Sequence, residues 1–315
     1  MRFLLLISLL FFIFGCDSTS SSDDDNNQTI IQSRTYGVSL KKEVEIQNFK
    51  NITLYKPKVI ESNQKIPVVL FLPGWESQDS SGYKSILTFI ASQGYLAIYS
   101  KCAGEYSASE FIKRFSTALD AEYIDKSNIG VVGHSSGGGL SFRVLDYFSK
   151  NGYGENGRFI FAMDPWFAFD MSDDSFQKFP KNTKVVLQQY SNVPKGGDQD
   201  PRIAMTIFDK LSVLGDENRD YQVYEDLTHG YPAGGRAYEK LQVVLKPLDA
   251  LMDYVFYDKQ EAFKVSLELG IDNPVENRKQ IVSNIYDYYY KCYGELDSLK
   301  SALKRDKINY CSIIP

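Results

Sequence analysis

The chain of 315 residues predicts an α/β fold, with a mainly parallel sheet and helices on both faces. Short apolar runs alternate with helical patterns from about Tyr36 to Tyr257, which is typical of this fold class. The run Ile66–Leu72 is almost continuously apolar, as expected of a strand that is covered on both faces. Ser135, bounded by glycines, separates a β-branched run from an amphipathic pattern, which indicates a strand, a tight turn and a helix.

The expected elements follow one another in a regular order. An opening antiparallel pair precedes a series of strands that alternate with helices. The predicted strands are Lys42–Gln47, Ile52–Lys56, Ile66–Leu72, Tyr95–Tyr99, Asn128–Val132, Phe159–Met163, Lys184–Tyr190 and the run that begins at Tyr221. The predicted helices are Ser81–Gln93, Ser107–Tyr123, Gly138–Phe148, Pro201–Leu214 and Gly235–Tyr257. Active sites of such sheets lie beyond the carboxyl ends of the strands, where Ser135 and His229 both fall.

Ser135 lies in a Gly-x-Ser-x-Gly motif that spans residues 133–137. A strand, a glycine-bounded serine and a helix form a nucleophile elbow, and the glycines leave room two positions away from the serine. The turn lifts the hydroxyl clear of the sheet and places it at a helix N-terminus, where developing negative charge is favoured. The alternative is a glycine-rich turn with an inactive serine, but the flanking strand and helix favour a nucleophile.

The chain contains only two histidines, His134 and His229. A serine hydroxyl needs a base within hydrogen-bond reach to act as a nucleophile near neutral pH. His134 lies inside the elbow, where we expect its side chain to point away from the serine and to pack structurally. His229 follows a short alternating strand and begins a glycine-bearing loop. It is therefore the predicted base, and a solvated loop histidine is the alternative.

A loop that ends at Trp75 follows the third predicted strand. Acyl transfer needs two N–H donors that are aimed at the developing oxyanion. In this arrangement one donor is the amide after the nucleophile, here Ser136, and the other comes from the early loop, here Trp75. The indole of Trp75 is also a candidate wall of the substrate pocket. The alternative is a loop tryptophan with no part in the chemistry.

These segments together resemble those of a known group of proteins. From about residue 65 to 257 the chain resembles α/β-hydrolases of the dienelactone hydrolase, cutinase-type polyester hydrolase and platelet-activating-factor acetylhydrolase group. The resemblance is carried by residues 72–75, 133–139, 164–166 and 228–230. Dienelactone hydrolases proper use a cysteine nucleophile, so the serine favours an esterase. The resemblance implies a serine carboxylic-ester hydrolase that works through an acyl-enzyme. The alternatives are a peptidase or thioesterase of the same fold, or an inactive binding module.

The acid of the expected triad has two candidates. Its function is to hold the neutral tautomer of His229 and to stabilise the imidazolium. Most α/β-hydrolases place it shortly after the strand that is here Lys184–Tyr190, and the first carboxylate there is Asp198. Acetylhydrolases of the platelet-activating-factor type place it after the preceding strand, where this chain has Asp164. A charge beside an apolar strand end needs a strong reason, whereas Asp198 suits a turn, so we prefer Asp164.

The N-terminus predicts export and a lipid anchor. Residues 1–15 combine a basic second residue with an apolar run, as in a signal peptide. Cys16 closes a segment that resembles the lipobox of bacterial lipoproteins, in which the cysteine is diacylated and becomes the new N-terminus. Residues 16–34 are too polar to pack and are expected to form a flexible tether. The predicted location is the bacterial cell envelope, with membrane attachment through the lipid, and a secreted protein is the alternative.

Residues 35–257 are expected to form the hydrolase domain, and residues 258–315 a helical extension. Within the extension, Ala262–Leu269 and Glu276–Tyr293 have helical periods. A C-terminal extension of this kind is expected to dock on the core.

The composition of the chain limits which functions and partners are possible. With 43% hydrophobic residues, the chain has ample material for one large core. The formal net charge of −5 gives no basic surface that would favour nucleic acid. Cys292 and Cys311 would close a loop worth about 3 kcal/mol in an oxidising compartment, with free thiols as the alternative. The sequence predicts no metal and no cofactor. We expect a monomer that binds a small ester or acyl substrate.

Overall fold

The computed structural model describes residues 35–37, 41–190, 201–224, 227–234 and 241–268. Within these residues the chain forms one eight-stranded sheet that is flanked by helices. Several predictions lie outside the described residues and stay predictions. They concern the N-terminal segment 1–34, Asp198, the helix Glu276–Tyr293, and the pair of Cys292 and Cys311.

The strands follow the expected order, and a short helix between the sixth and seventh strands was not predicted. The strands are β1 Val44–Asn48, β2 Ile52–Pro57, β3 Ile66–Leu72, β4 Leu96–Ser100, β5 Ile124–His134, β6 Gly157–Met163, β7 Thr183–Tyr190 and β8 Arg219–Tyr224. The helices are α1 Lys84–Ser92, α2 Ser109–Ala118, α3 Ser136–Lys150, α4 Asp173–Gln177, α5 Pro201–Lys210, α6 Lys246–Tyr257 and α7 Phe263–Ser266. Among the described residues, no helix is both long and apolar enough to cross a membrane.

The sheet has the strand order β1-β2-β4-β3-β5-β6-β7-β8. β1 pairs antiparallel with β2, and β2 pairs antiparallel with β4. The remaining pairs, from β4 through β3 to β8, are all parallel. The fold class and the opening antiparallel pair predicted from the sequence are therefore confirmed.

Two apolar layers cover the sheet. All seven residues of β3 are buried, as predicted from its continuous apolar run. Val68 and Leu70 belong to the layer that includes the buried side chains of α2, α3 and α5. Val69 and Phe71 belong to the layer on the other face, with α1 and α6. Successive side chains of a strand point to opposite faces, so a strand between two helical layers must be apolar throughout.

Several helices are shorter than the sequence periodicity predicts. The segment expected to be helical from Ser107 begins as α2 at Ser109, because the carboxylate of Asp170 accepts hydrogen bonds from the Ser107 hydroxyl and the Ala108 N–H. That side chain satisfies donors that the first turn of a helix leaves without partners.

The closing helix, predicted from residue 235 to Tyr257, is described from residue 241 onward. A π-helical segment, Leu241–Leu245, leads directly into α6 at Lys246, and residues 235–240 lie outside the described residues. Pro247 lies in the first turn of α6, where a missing N–H costs nothing. The first predicted helix of the C-terminal extension is reduced to a 3₁₀ turn, Gln260–Ala262, followed by α7.

Candidate active site

Ser135 lies at the junction of β5 and α3, in a strained backbone conformation. Its φ is 55° and its ψ is −124°, a region that residues other than glycine rarely adopt. Its N–H donates to the carbonyl of Met163, and its carbonyl accepts from the N–H of Trp166. These two bonds tie the elbow to the chain that leaves β6, so the serine is held where the neighbouring strand ends.

The two glycines of the elbow have no room for a side chain. A Cβ on Gly133 would overlap the carbonyl of Gly137 and the hydroxyl of Ser141. A Cβ on Gly137 would overlap the carbonyls of Leu72 and Pro73. The prediction that both glycines are sterically required is confirmed. They let the start of α3 approach the loop that follows β3.

Ser135, His229 and Asp164 form a continuous hydrogen-bonded row. His229 Nε2 lies 2.8 Å from Ser135 Oγ, and His229 Nδ1 lies 2.6 Å from Asp164 Oδ2. These are the contacts that a Ser-His-Asp triad requires, with the base between the nucleophile and the acid. The structure thus brings together three residues that are far apart in the sequence, at the carboxyl edge of the sheet.

The Asp164 carboxylate is buried and held from two sides. Its side chain is 5% exposed, and its second oxygen, Oδ1, accepts from the N–H of Tyr190 at 3.1 Å. Burial raises the pKa of Asp164, and the hydrogen bonds from His229 and from the Tyr190 amide act in the opposite direction. The imidazolium form of His229, which general-base catalysis would create, therefore stabilises the charged form of this carboxylate.

The backbone of Asp164 is also unusual for a residue with a side chain. Its φ is 44°, in the left-handed region, where aspartate is tolerated better than most residues. Its N–H donates to the carbonyl of Gln188 on β7 at 2.7 Å. The turn that follows β6 is thus hydrogen-bonded to β7 on one side and to the elbow on the other.

Asp198, the alternative acid, lies outside the described residues and stays an alternative prediction. The catalytic assignment of Asp164 is likewise a prediction, which its contact with His229 supports.

The loop after β3 passes close to the serine. A Cβ on Gly74 would lie 3.5 Å from the Cβ of Ser135, so the backbone that precedes Trp75 lies against the nucleophile. Ser136 is the first residue of α3, where a backbone N–H has no acceptor within the helix. Both predicted oxyanion donors, the amides of Trp75 and Ser136, therefore belong to backbone next to Ser135. Their function as donors stays a prediction.

The indole of Trp75 lies in an aromatic group beside this loop. It packs against Tyr106 with 4.3 Å between ring centroids, and Tyr106 packs edge-on against Phe169 at 5.1 Å. The Trp75 side chain remains 39% exposed. The function of this indole as a wall of the substrate pocket stays a prediction.

His134 packs in the interior, but it has a more specific environment than the sequence suggests. Its ring nitrogens lie 2.7 Å from the Tyr83 hydroxyl and 2.7 Å from the backbone carbonyl of His229. Sequence reasoning missed the contact with the His229 loop, because residues 134 and 229 are distant in the chain. It also missed the supporting residues Gln188 and Tyr190. Both residues contact Asp164 through their backbone atoms, so their side-chain types gave no signal of this function.

The sheet order and the site together define the class of this protein. A serine elbow after β5, an acid after β6 and a histidine after β8 lie at one edge of an eight-stranded, mainly parallel sheet. This is the architecture of the α/β-hydrolase superfamily.

Comparisons with known proteins find only distant similarities. No protein-family model matches the chain. It is 23% identical over 216 residues to a “Probable dipeptidyl-aminopeptidase B” of Trichophyton verrucosum, and 22% identical over 213 residues to one of Arthroderma gypseum. The matches cover 56% of this chain in both cases, and 24% and 23% of the relatives. The chain thus matches about a quarter of the length of these curated relatives.

A similar solved structure is that of a Klebsiella pneumoniae protein provisionally described as a dienelactone hydrolase. The identity is 13% and the TM-score is 0.45, over 58% of this chain and 82% of that chain.

Proposed function

We propose that this protein is a serine carboxylic-ester hydrolase that works through an acyl-enzyme. The observation that carries the proposal is the hydrogen-bonded row of Ser135, His229 and Asp164 at the carboxyl edge of the sheet. A half-buried serine on a strained elbow, with a base 2.8 Å from its oxygen and an acid 2.6 Å from that base, has what an acyl transfer needs.

In the proposed reaction, Ser135 Oγ attacks the acyl carbon while its proton passes to His229 Nε2. Asp164 holds the ring orientation and stabilises the imidazolium. The backbone N–H groups of Ser136 and Trp75 hold the oxyanion, and one such donor typically contributes about 10²- to 10³-fold in turnover. His229 then protonates the leaving alcohol. Water, activated by His229, hydrolyses the acyl-enzyme in the second half of the cycle.

An inactive binding module of the same fold is a less favoured function. An inactive relative is expected to lack a carboxylate at the free ring nitrogen of the histidine. Here the Nδ1 atom of His229 has Asp164 Oδ2 as its partner. This contact favours an active enzyme over a silent binding protein.

A peptidase is the second candidate function. The similarity to proteins named as dipeptidyl-aminopeptidase B favours it over the thioesterase alternative. The same triad serves both reactions, because in each case His229 protonates the leaving group of a tetrahedral intermediate. The loops around the site decide which leaving group fits, so the choice needs a substrate panel.

The proposal is tested with a fluorophosphonate probe, which reacts covalently with activated serines, and with a panel of substrates. We expect the wild-type protein to be labelled and the Ser135→Ala variant to be neither labelled nor active. Removing a triad serine costs on the order of 10⁶ in turnover. Ser109→Ala, an exposed serine on α2, is the control and should behave as wild type.

The panel contains p-nitrophenyl esters of increasing acyl length, a thioester and a dipeptidyl p-nitroanilide. Faster turnover of the esters supports the esterase, and a preference for the anilide supports the peptidase. Full labelling of the Ser135→Ala variant would show that another residue is the nucleophile.

We also propose that the mature protein is attached to a membrane through a lipid on Cys16. Two or more acyl chains give stable anchoring, where one is marginal. Expression of the Cys16→Ser variant in a bacterial host should leave the precursor unprocessed or release it from the membrane fraction. A variant that is processed and membrane-bound like the wild type would contradict the lipoprotein assignment.

A further inference from the structure

A second imidazole lies beside the proposed catalytic base. His134 is the last residue of β5, is 4% exposed, and has its ring centroid 4.9 Å from that of His229. It makes no contact that the proposed reaction uses. Both of its ring nitrogens nevertheless have hydrogen-bond partners, and these partners belong to the two loops that frame Ser135.

The partners of His134 determine which of its nitrogens carries the proton. The backbone carbonyl of His229 only accepts hydrogen bonds, so His134 Nε2, at 2.7 Å, must donate to it. In the neutral ring Nδ1 is then an acceptor, and it lies 2.7 Å from the Tyr83 hydroxyl. The Tyr83 hydroxyl in turn accepts from the N–H of Gly74 at 3.0 Å, and it also hydrogen-bonds the Ser77 side chain. Since Nδ1 of the neutral ring can only accept, the Tyr83 proton is the one that is donated to His134.

In the resulting row of hydrogen bonds, every donor points the same way along the row. Gly74 N–H donates to the Tyr83 oxygen, Tyr83 O–H donates to His134 Nδ1, and His134 Nε2–H donates to the His229 carbonyl. Burial raises the pKa of Tyr83 to about 12, so the phenol keeps its proton at neutral pH. Every polar atom of this row has a defined part as donor or acceptor.

The row connects the two loops whose positions matter for the chemistry. One end is Gly74, next to the predicted oxyanion donor Trp75. The other end is the backbone of His229, whose ring must reach both Ser135 and Asp164. The row passes through residue 134, directly before the nucleophile. The three parts of the proposed site are thus held against one another by two side chains outside the proposed triad.

We propose that His134, with Tyr83 behind it, is a positioning residue that fixes the backbone of His229 and thereby the alignment of the catalytic imidazole. The inference rests on the proposed function. A base that is displaced by about 1 Å can lose about 100-fold in rate, because the reacting atoms are no longer held in line. The loss should fall on turnover rather than on substrate binding, since both side chains act on the position of the base and neither is a member of the proposed triad.

The experiment compares kcat and KM for p-nitrophenyl butyrate in four variants. His134→Phe removes both hydrogen bonds, His134→Gln keeps an N–H that can reach the His229 carbonyl, and Tyr83→Phe removes only the hydroxyl. Tyr95→Phe is the matched control, because Tyr95 is a buried tyrosine whose hydroxyl bonds Asp253 instead. Thermal unfolding of each variant is measured in parallel.

We expect His134→Phe to lower kcat by about 10- to 100-fold with KM changed by less than about threefold. His134→Gln should recover most of this loss, and Tyr83→Phe should give an intermediate loss. Tyr95→Phe should lower stability at most, with kcat within about twofold of wild type. A structural role alone would lower the unfolding temperature of Tyr83→Phe and Tyr95→Phe alike and leave kcat of both unchanged.

A folded His134→Phe variant with wild-type kcat would overturn the proposal. If His134→Phe does not fold, Tyr83→Phe and His134→Gln decide, and equal kcat values for Tyr83→Phe and Tyr95→Phe would overturn it as well. The rate of fluorophosphonate labelling separates the two levels of failure. A wild-type protein that is not labelled at Ser135 refutes the proposed function. If the wild type is labelled at Ser135 and the Tyr83→Phe and His134→Phe variants are labelled as fast as the wild type, the positioning role is refuted.

Discussion

The two edges of the parallel sheet both bury a carboxylate, but they do so in different ways. At the carboxyl edge, Asp164 lies in a strained left-handed conformation and contacts a histidine. At the amino edge, Asp253 lies in the regular helix α6, and its carboxylate accepts from Lys259 Nζ at 3.1 Å and from the Tyr95 hydroxyl at 3.4 Å. Tyr95 directly precedes β4, which places this cluster at the start of the strands.

Each buried carboxylate needs a partner, and the type of partner differs between the two edges: it stabilises the fold at one and suits a reaction at the other. A buried carboxylate must be paired or hydrogen-bonded, and lysine provides a permanent charge for Asp253. Histidine is an uncharged partner that can take up a proton near neutral pH, so the pair at Asp164 can change its charge during a reaction. At the carboxyl edge the acid and the nucleophile themselves have positive φ, 44° at Asp164 and 55° at Ser135, because acid, base and nucleophile must meet at one point. At the amino edge Asp253 is regular helix, and the positive φ of 54° belongs to Asp258, the residue that ends α6.

The largest expected effect is the loss of activity in Asp164→Asn. The amide keeps an acceptor for the Tyr190 N–H, but it no longer fixes the tautomer of His229, and losses on the order of 10⁴ in turnover are typical of that defect. Asp198→Asn is the matched control and should cost little turnover if Asp198 is a turn residue. Steady-state kinetics on one good ester compares the two variants. If Asp198→Asn is the inactive one, the acid has the commoner placement, and Asp164 is the wrong assignment.

The Asp164→Asn substitution is expected to leave the folded protein as stable as the wild type or to make it more stable. Burial raises the pKa of Asp164 in the folded protein, so the stability that this group contributes is present at low pH and is lost as the pH rises through its folded-state pKa. Asparagine does not titrate. The unfolding temperature of Asp164→Asn relative to wild type should therefore rise with pH, as a thermal series between pH 4 and pH 8 would measure. A relative unfolding temperature that falls with pH would contradict this account.

The smallest effect on activity is expected at the amino edge. Asp253→Asn should leave kcat/KM within about twofold of wild type and lower the free energy of unfolding by about 1.5–3 kcal/mol, which is typical of hydrogen bonds to a charged group. Denaturant unfolding and ester hydrolysis, measured on the same preparation, test both halves. A loss of activity comparable to that of Asp164→Asn would show that the two edges are coupled, and the contrast between them would fail.

Much of this fold could be predicted from the sequence because its signals are local. The apolar run of β3 predicts a strand covered on both faces, and the structure buries it completely. The elbow was predicted from the glycines around Ser135, since a side chain at Gly133 or Gly137 would overlap neighbouring backbone or side-chain atoms. In both places the signal is a pattern of neighbouring residues and can be recognised without knowing the partners, although the carbonyls that exclude a side chain at Gly137 belong to Leu72 and Pro73.

The helix lengths could not be predicted in the same way. Apolar periodicity extends beyond the ends of several helices, because residues in turns also contribute to the core. The start of α2 depends on Asp170, a residue more than sixty positions away in the chain, whose carboxylate caps it. Periodicity carries no information about such a partner, so the sequence predicted the helix but not its first residue.

The sequence by itself determined the order of the strands, the elbow, and a choice between only two possible bases. These follow from residue size, apolar pattern and scarcity, which need no knowledge of distant contacts. Only the tertiary structure brought Asp164 within 2.6 Å of His229, and joined His134 to Tyr83 and to the His229 carbonyl. Hydrogen bonds act over about 3 Å and depend on direction. Which side chains form them is therefore decided by how distant segments pack, not by the sequence around each one.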